Sequence, residues 1–437
     1  MDWTTIYEKK KMTATEAVFS HVKNNDNIFL GGTVTAVHTL KEVFCLVKNG
    51  KLKGLRLHGN AVRDELPLND TDFTEDKLRY YSFFHGALER EATTYGSVAF
   101  VPMQFSQHWR YMQHVSPDVA IVPMTPPDDK GYCGLGCFSS GYSPAGVMNS
   151  KKIIAQINPQ LPRVCGLNQD YHVNDIAAFV EYEEDIPLYN TLIPSEIDKQ
   201  IVSHIIDLIP DGACIQLGLG GMANAVGFGL REKKHLGVHS EMLTESMVEL
   251  YKLGIIDNSR KSLHKGVSVC GFTLGKLDQY QFVTNNPDFM FVPYEYSNDI
   301  NNISANDNMI SINTAISVDL SGQVNAESVG FRQFSGTGGQ VDFIRGATLS
   351  KGGKSFITLA SVANTKSGPI SKITLDFEPG SITTSLRSEV QYIATEYGCV
   401  DLKWCDIPTR AKKLIGIAHP DFRDELTFQA KKAGYLY

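Results

Sequence analysis

One succession of segments occurs twice in this chain, and it restricts the possible folds more than any other feature. Each copy has a short amphipathic stretch, a polar turn, an apolar run of strand length and then glycine. The first copy comprises residues 19–22, 24–26 and 28–32, and the second comprises residues 202–205, 210–212 and 215–218. This order predicts a helix, a turn, a buried strand and a glycine loop in both halves of the chain. We therefore expect two α/β domains of related topology.

The length of the chain agrees with two domains. Its 437 residues exceed the roughly 250–300 residues at which a single hydrophobic core stops growing. Short apolar runs alternate with helical patterns and end at Gly or Pro, which favours an α/β protein with mostly parallel sheets. Pro187 and Pro194 interrupt the pattern between the two copies, and such breaks are typical of a domain boundary. The predicted domains are residues 1–190 and residues 191–437.

Composition and charge argue against nucleic acid as the main partner. The chain is 42% hydrophobic and 20% charged, with a formal net charge of -7, and these values are typical of a folded globular protein. Binding of nucleic acid requires a concentrated basic face, and only short basic runs such as residues 9–11 and 231–234 occur. A small polyphosphate ligand stays compatible, because it needs only backbone N–H groups and one or two cationic side chains.

The eight cysteines are scattered, which indicates reduced thiols rather than a disulfide framework. Cys133 and Cys137 do not have the spacing of a zinc site, so we expect no metal there and interpret both as small buried hydrophobes. The N-terminus lacks an apolar leader segment, and no run approaches the ~18 apolar residues of a membrane span. The sequence therefore predicts a cytoplasmic protein.

The most informative segment is the glycine loop that follows the strand of the second copy. Residues 213–217 predict the strand, residues 218–222 the loop, and a helix leaves it, so backbone N–H groups are available for an anion or an oxyanion. A second short strand at residues 236–239 ends at Ser240 and Glu241. An apolar periodicity from Leu243 onwards predicts a helix there, with Ser240 as N-cap and Glu241 in its first turn. In that position the helix dipole favours the ionised carboxylate. An exposed first-turn glutamate contributes about 1 kcal/mol at most, so Glu241→Ala should keep the fold.

Three interpretations of Glu241 are open at this point. An acidic residue in a first helical turn is common and often merely stabilises the helix. Gly218, Gly220 and Ala223 also fit the dinucleotide fingerprint G-x-G-x-x-A, and Glu241 lies ~20 residues beyond, where a ribose-binding acid is expected. A second glycine cluster at residues 334–343, which reads locally as a turn before a strand, instead favours acyl chemistry. Donors from both loops could then stabilise a thioester carbonyl while a carboxylate attacks it.

Other local patterns carry less functional information. Residues 347–350 and 356–359 flank a Gly-Gly turn and predict a β-hairpin. The Gly-Lys-Ser run at 353–355 is not a P-loop, because Thr348 stands where the motif requires glycine. His239 is interpreted as an orienting or packing residue, since attack by a carboxylate on a thioester requires no proton removal.

Five motifs together resemble a known family. They lie, in this order, at residues 216–226, 236–242, 325–328, 335–343 and 418–422. These runs resemble the 4-hydroxybutyrate CoA-transferases and butyryl-CoA:acetate CoA-transferases over nearly the whole chain. The resemblance implies two similar α/β domains and ping-pong exchange of CoA. It implies that Glu241 attacks an acyl-CoA to form a mixed anhydride and is then converted to a glutamyl-CoA thioester.

The same resemblance implies the other site residues and the substrates. The CoA or oxyanion site is assigned to Gly218, Leu219, Gly220, Gly221, Met222, Ile316, Gly339 and Lys366. Family members often have Pro where Ala223 stands. By its local sequence alone Lys366 is interpreted as a surface lysine, because lysines are usually exposed. No permanently bound cofactor is implied, because CoA thioesters such as butyryl- or 4-hydroxybutyryl-CoA are substrates, with acetate as acceptor. An acyl-CoA hydrolase is the nearest alternative, and a symmetric homo-oligomer is the default assembly.

Overall fold

The computed structural model describes residues 2–60, 66–190, 192–218 and 220–437. By compactness the chain forms two units, and each is α/β. The first unit is Met1–Tyr189 with Val269–Ser297, and the second is Asn190–Ser268 with Asn298–Tyr437. The segment Val269–Ser297 thus packs with the first unit, although a single cut at residue 190 assigns it to the second domain.

The strands and helices of the described residues alternate along much of the chain. The strands are β1 (Asn27–Gly32), β2 (Leu55–Asn60), β3 (Leu78–Ser82), β4 (Val98–Phe100), β5 (Val119–Met124), β6 (Tyr132–Gly134), β7 (Ile153–Ile157), β8 (Asp170–His172), β9 (Ala178–Glu181), β10 (Cys214–Leu217), β11 (Gly237–Leu243), β12 (Ser268–Thr273), β13 (Phe289–Phe291), β14 (Met309–Thr314), β15 (Ser317–Asp319), β16 (Val324–Asn325), β17 (Ser328–Val329), β18 (Arg332–Gln333), β19 (Lys354–Thr358), β20 (Val362–Thr365), β21 (Gly368–Ser371), β22 (Ile373–Thr374), β23 (Tyr392–Thr395) and β24 (Gly398–Asp401). The α-helices are α1 (Trp3–Lys10), α2 (Ala14–His21), α3 (Val37–Lys48), α4 (Ala87–Ala92), α5 (His108–Val115), α6 (Ser143–Asn149), α7 (Glu196–Ile205), α8 (Gly221–Gly229), α9 (Glu245–Lys252), α10 (Leu277–Val283), α11 (Tyr294–Ser297), α12 (Ile300–Ser304), α13 (Gln340–Leu349), α14 (Ile407–Ile417) and α15 (Pro420–Lys432).

A seven-stranded sheet forms the centre of the first unit. Its strand order is β4-β3-β2-β1-β5-β7-β9, and every neighbouring pair is parallel. Strands β1 and β5 are apolar and buried almost throughout, as expected for parallel strands covered on both faces. Helices α2 and α3 supply apolar residues to the same core, among them Val18, Leu40 and Phe44.

The second unit contains strands in the order β11-β10-β14-β19-β23-β24. All neighbours among them are parallel except β23 and β24. The central order β11-β10-β14-β19 has the same topology as β2-β1-β5-β7 of the first unit, and α2 before β1 corresponds to α7 before β10. The prediction of two similar α/β domains with mostly parallel sheets is therefore confirmed.

Two local predictions in the second unit are wrong. Residues 347–350 do not pair with residues 356–359 in a hairpin, because Ala347 belongs to helix α13 and β19 pairs in parallel with β14. The second glycine cluster likewise precedes helix α13 rather than a strand. The apolar residues Val341, Ile344 and Ala347 are buried on this helix, and that helical spacing outweighs the local Gly-Gly turn signal.

The cysteines of the described residues are free thiols, and Cys133 and Cys137 are both buried, as expected. None of the helices in the described ranges combines the length and apolar character needed to cross a bilayer.

Candidate active site

The first glycine loop lies between strand β10 and helix α8, as the sequence predicts. The Gly218 amide donates to the carbonyl of Ile312 at 2.9 Å, which holds the start of the loop against β14. Gly220 is the N-cap of α8 with φ +109°, a conformation that is nearly exclusive to glycine. No side chain of the described residues caps α8, so the loop can present backbone N–H groups to a ligand. Leu219, which belongs to the predicted site, lies outside the described residues.

A buried pair of side-chain amides connects the two strands that lead to this loop. Gln216 on β10 and Asn313 on β14 exchange two side-chain hydrogen bonds of 3.1 Å. Strand β10 lies between β11 and β14. The next strand along the chain, β11, pairs on one side of β10, and the later strands β14 and β19 lie on its other side. Ligands of open parallel sheets bind at the carboxyl edge of such a topological switch point. Gly218 and Thr314 lie at this edge, and Ile316 follows just beyond β14 with its amide bonded to the carbonyl of Asn325.

Glu241 lies on a strand and not in the first turn of a helix, so the predicted placement is wrong. Strand β11 continues through Glu241 to Leu243, and helix α9 begins only at Glu245. The N-cap is Thr244, whose Oγ1 accepts from the Met247 amide, whereas the Ser240 hydroxyl donates to the carbonyl of Met242. Both possible starts share the apolar residues of α9, and the cap oxygen decides between them.

Within the described part of the chain, two donors hold the Glu241 carboxylate in place. The Asn298 side-chain amide donates to Oε2 at 3.0 Å, and the backbone N–H of Gly339 donates to the same carboxylate. A Cβ atom at position 339 would overlap both Glu241 Oε2 and Asn298 Nδ2. Gly339 has φ -96°, which any residue can adopt, so glycine is needed here for space and not for backbone freedom. The second glycine loop thus contacts the candidate nucleophile directly.

The electrostatic setting of Glu241 differs from a helix N-terminus. Burial raises the pKa of Glu241 from 4.5 to about 7, and the carboxylate of Asp342 acts in the same direction. The hydrogen bonds from Asn298 and Gly339 act against this increase. A carboxylate that is partly desolvated and fixed by two donors is a better nucleophile than one in water.

The remaining predicted residues lie in different surroundings. Met222 is buried in the first turn of α8 and lines a small apolar depression with Leu217 and Ile312. Lys366 is exposed in the turn between β20 and β21, and among the described residues it makes no ion pair with a carboxylate. His239 is fully buried on β11 with its ring 6.3 Å from that of Phe343, in agreement with a packing role.

The sequence interpretation did not single out Asn298 or Asp342, which lie beside Glu241 in the described part of the chain. Asn298 is 57 positions from Glu241 in the chain, and no local pattern distinguishes it from other asparagines. Asp342 lies inside the motif at residues 335–343, so its place in that motif was an available signal.

Removing the Glu241 charge should stabilise the fold in a pH-dependent way. The pKa of about 7 in the folded state lies above the ordinary 4.5, so the folded state retains the proton where the unfolded chain has lost it. Stability of the wild type then falls as pH rises from 4.5 to about 7. Glu241→Gln lacks this loss. Its free energy of unfolding should therefore exceed that of the wild type by about 3 kcal/mol at about pH 8 and by a small amount at about pH 5. Urea unfolding of both proteins at the two pH values measures it. A variant less stable than wild type at both would contradict the burial argument.

Known proteins resemble this chain along its whole length. Residues 1–190 match the acetyl-CoA hydrolase/transferase N-terminal domain, and residues 275–430 match the C-terminal domain of that family. The 4-hydroxybutyrate coenzyme A transferase of Clostridium kluyveri is 38% identical over 99% of this chain and 100% of its own. The butyryl-CoA:acetate CoA-transferase of Anaerostipes caccae is 37% identical over 99% of this chain and 98% of its own. The crystal structure of RipA from Yersinia pestis superposes over 100% of both chains with a TM-score of 0.93 and 32% identity. The resemblance to the CoA-transferases is confirmed, and the chain belongs to the acetyl-CoA hydrolase/transferase family of enzymes.

Proposed function

We propose that this protein is an acyl-CoA:carboxylate CoA-transferase in which Glu241 is the covalent nucleophile. The observation that carries the proposal is the Glu241 carboxylate itself, which is half-buried and held by Asn298 and the Gly339 N–H. A carboxylate in this state is suited to attack a carbonyl, since part of its hydration has already been removed. Relatives that are named for CoA transfer support the substrate class.

The proposed reaction consists of two half-reactions. The Glu241 carboxylate attacks the thioester carbonyl, the carbon–sulfur bond breaks, and CoA leaves as the thiolate while a mixed anhydride forms. The thiolate then attacks the glutamyl carbonyl, which releases the first acid as its carboxylate and leaves a glutamyl-CoA thioester. An acceptor carboxylate reverses both steps. No proton is transferred, so the site needs no general base.

The two glycine loops would stabilise the negative charge that develops on the carbonyl oxygen in each half. We assign Gly218, Leu219, Gly220, Gly221 and Met222 with Ile316, Gly339 and Lys366 to binding of CoA and the oxyanion. Loss of one backbone donor in comparable acyl transfer costs ~2.7–4 kcal/mol. Remote contacts to the long CoA chain can offset the cost of desolvating the carboxylate.

Butyryl- or 4-hydroxybutyryl-CoA and acetate are the substrates that we propose, in a cytoplasmic homo-oligomer. Selectivity for one methylene or hydroxyl rests on ~1–3 kcal/mol. An acyl-CoA hydrolase would use the same glutamyl-CoA thioester with water as acceptor, and assays with and without acetate separate the two activities. Family membership favours CoA chemistry over the dinucleotide interpretation, which predicts NAD binding and no covalent CoA adduct.

Trapping the intermediate tests the proposal directly. The protein is mixed with butyryl-CoA, the thioester is reduced with borohydride, and the modified peptide is mapped by mass spectrometry. We expect reduction of the side chain of Glu241 only when acyl-CoA is present, with acetyl phosphate as a control acyl donor that lacks CoA. Modification at another residue, or none in active protein, would refute Glu241 as the nucleophile.

The rate of the first half-reaction should depend on pH through Glu241. Only the ionised carboxylate attacks, and burial raises the pKa of Glu241 to about 7. We therefore expect kcat/KM for acyl-CoA to be low in acid, to rise through about pH 7 and to level off above it. Initial rates at subsaturating acyl-CoA measure this profile, because kcat/KM reports the free enzyme. A rise centred near the ordinary value of 4.5 would contradict the burial of the carboxylate.

A further inference from the structure

The motif at residues 325–328 contacts two segments of the proposed site. One carries Ile316, and the other leads into the second glycine loop. Asn325 is 1% exposed, and its carbonyl accepts from the Ile316 amide at 2.8 Å. Its side-chain Oδ1 accepts from the amides of Glu327 and Ser328, and its Nδ2 donates to the carbonyl of Ser328 at 2.8 Å. Asn325 therefore closes a tight turn that is tied to the segment carrying Ile316.

Glu327, the third residue of this motif, contacts the second glycine loop. It is only 4% exposed, and its Oε2 accepts from Gln333 Nε2 at 3.1 Å. Gln333 Nε2 also donates to the carbonyl of Ser335 at 3.2 Å, and Thr337 Oγ1 lies 3.5 Å from Glu327 Oε2. The Glu327 carbonyl accepts from the amides of Phe334 and Ser335. A buried carboxylate thus organises the polypeptide that leads into residues 336–339.

The far end of that loop is Gly339, which donates its N–H to Glu241. Gly336, Gly338 and Gly339 carry no side chains, so the loop has little intrinsic rigidity and its geometry depends on contacts to neighbouring segments. On the side toward residue 333, Glu327 is a buried acceptor of such contacts among the described residues, and the Ala326 carbonyl accepts a further one from the Ser335 hydroxyl. A shift of the loop would move the Gly339 N–H relative to the Glu241 carboxylate.

We propose that Glu327 is a positioning residue that holds the second glycine loop so that Gly339 can donate to Glu241. Its consequence for CoA transfer rests on the proposed function, whereas its effect on the Glu241 carboxylate does not. Among the described residues, Asp342 on α13 acts on Glu241 through its charge, and the titratable His239 lies two residues earlier on β11. Neither is altered by a substitution at position 327.

The hydrogen bond from the Gly339 N–H to Glu241 sets the direction in which a substitution of Glu327 should change the pKa of Glu241. The Gly339 N–H stabilises the ionised form and lowers the pKa of Glu241, so a weaker bond raises that pKa further. Fewer Glu241 side chains are then ionised near neutral pH. We expect kcat/KM of Glu327→Gln to fall about fivefold at about pH 7 and to recover at about pH 9, where both proteins are ionised.

The experiment compares three variants of the full chain with the wild type. Glu327→Gln is nearly isosteric, Gln333→Met removes the donor that connects Glu327 with Ser335, and Asp319→Asn is the matched control. Asp319 is 2% exposed and accepts hydrogen bonds within another turn of the same unit, from Ser321 and Gln323. The primary measurement is the titration of Glu241 by carbon-13 NMR in protein labelled at the glutamate carboxyl carbon, with the resonance assigned by its absence in Glu241→Gln. The pH profile of kcat/KM is measured on the same samples.

The proposal is supported if the pKa of Glu241 is higher than in the wild type in both Glu327→Gln and Gln333→Met and is unchanged in Asp319→Asn. Lower melting temperatures with an unchanged Glu241 titration in both loop variants would overturn it and leave Glu327 a purely structural residue. The NMR titration requires no turnover, so a protein without CoA-transferase activity would refute the proposed function and still decide the role of Glu327. If Glu327→Gln does not fold, the result for Gln333→Met decides alone.

Discussion

Glu241→Gln is expected to reduce CoA exchange between butyryl-CoA and acetate by about ten-thousandfold or more. Glutamine keeps the shape of the side chain but cannot form an anhydride or a thioester, so the covalent route is removed. Loss of a covalent nucleophile in comparable acyl transfer costs about a millionfold in kcat, and the residual rate comes from binding and oxyanion stabilisation. The fall should appear in kcat and not in KM, because Glu241 participates in the chemical step.

The control for this prediction is Glu249→Gln, which makes the same change on helix α9 of the same unit. Glu249 is half exposed and lies 3.4 Å from Arg231, and such surface ion pairs contribute little. Exchange should therefore be unchanged in the control. Because burial of the carboxylate predicts that Glu241→Gln is at least as stable as the wild type above about pH 7, we expect the loss of activity in folded protein, and urea unfolding of the same sample checks this. Exchange within about tenfold of wild type in Glu241→Gln would reject covalent catalysis by this residue.

Gly339→Ala is expected to lower exchange by about one hundred- to one thousandfold. The added Cβ would occupy the positions of Glu241 Oε2 and Asn298 Nδ2, so the carboxylate and its amide donor must both move. Alanine tolerates the backbone conformation at this position, where φ is -96°. The loss therefore reports displacement of the nucleophile and of its backbone donor rather than strain in the main chain. Both kcat and the pH profile of kcat/KM should change.

Gly416→Ala provides the matched control, since it adds the same methyl group elsewhere in the second unit. Gly416 lies within α14, and a Cβ there would meet no atom within 4 Å. Alanine is favoured over glycine inside a helix by about 1 kcal/mol, so this variant should be fully active and slightly more stable. Equal activity of Gly339→Ala and Gly416→Ala would show that the contact between residues 339 and 241 has no role in the reaction.

The chain's own sequence contains most of what specifies the first glycine loop. A buried strand, two glycines and an apolar helix follow one another within residues 214–229, and local periodicity is sufficient to predict such a unit. The repeated order of segments likewise predicted two similar α/β domains. The family motifs pointed to Glu241, Gly339 and the surrounding residues because each motif is a short contiguous run.

Tertiary structure alone decided how those residues meet. The periodicity of Leu243, Met247 and Leu250 fits a helix that begins at either residue 241 or residue 245, and only the pairing of β11 and the Thr244 cap select the later start. Asn298 reaches Glu241 across 57 positions, and the contact with Gly339 spans more. Burial by distant segments raises the pKa of Glu241, whereas a local helix dipole would have favoured the ionised form. Local patterns determine which elements form, but the desolvation and the donors that make Glu241 a candidate nucleophile arise from contacts between residues remote in the chain.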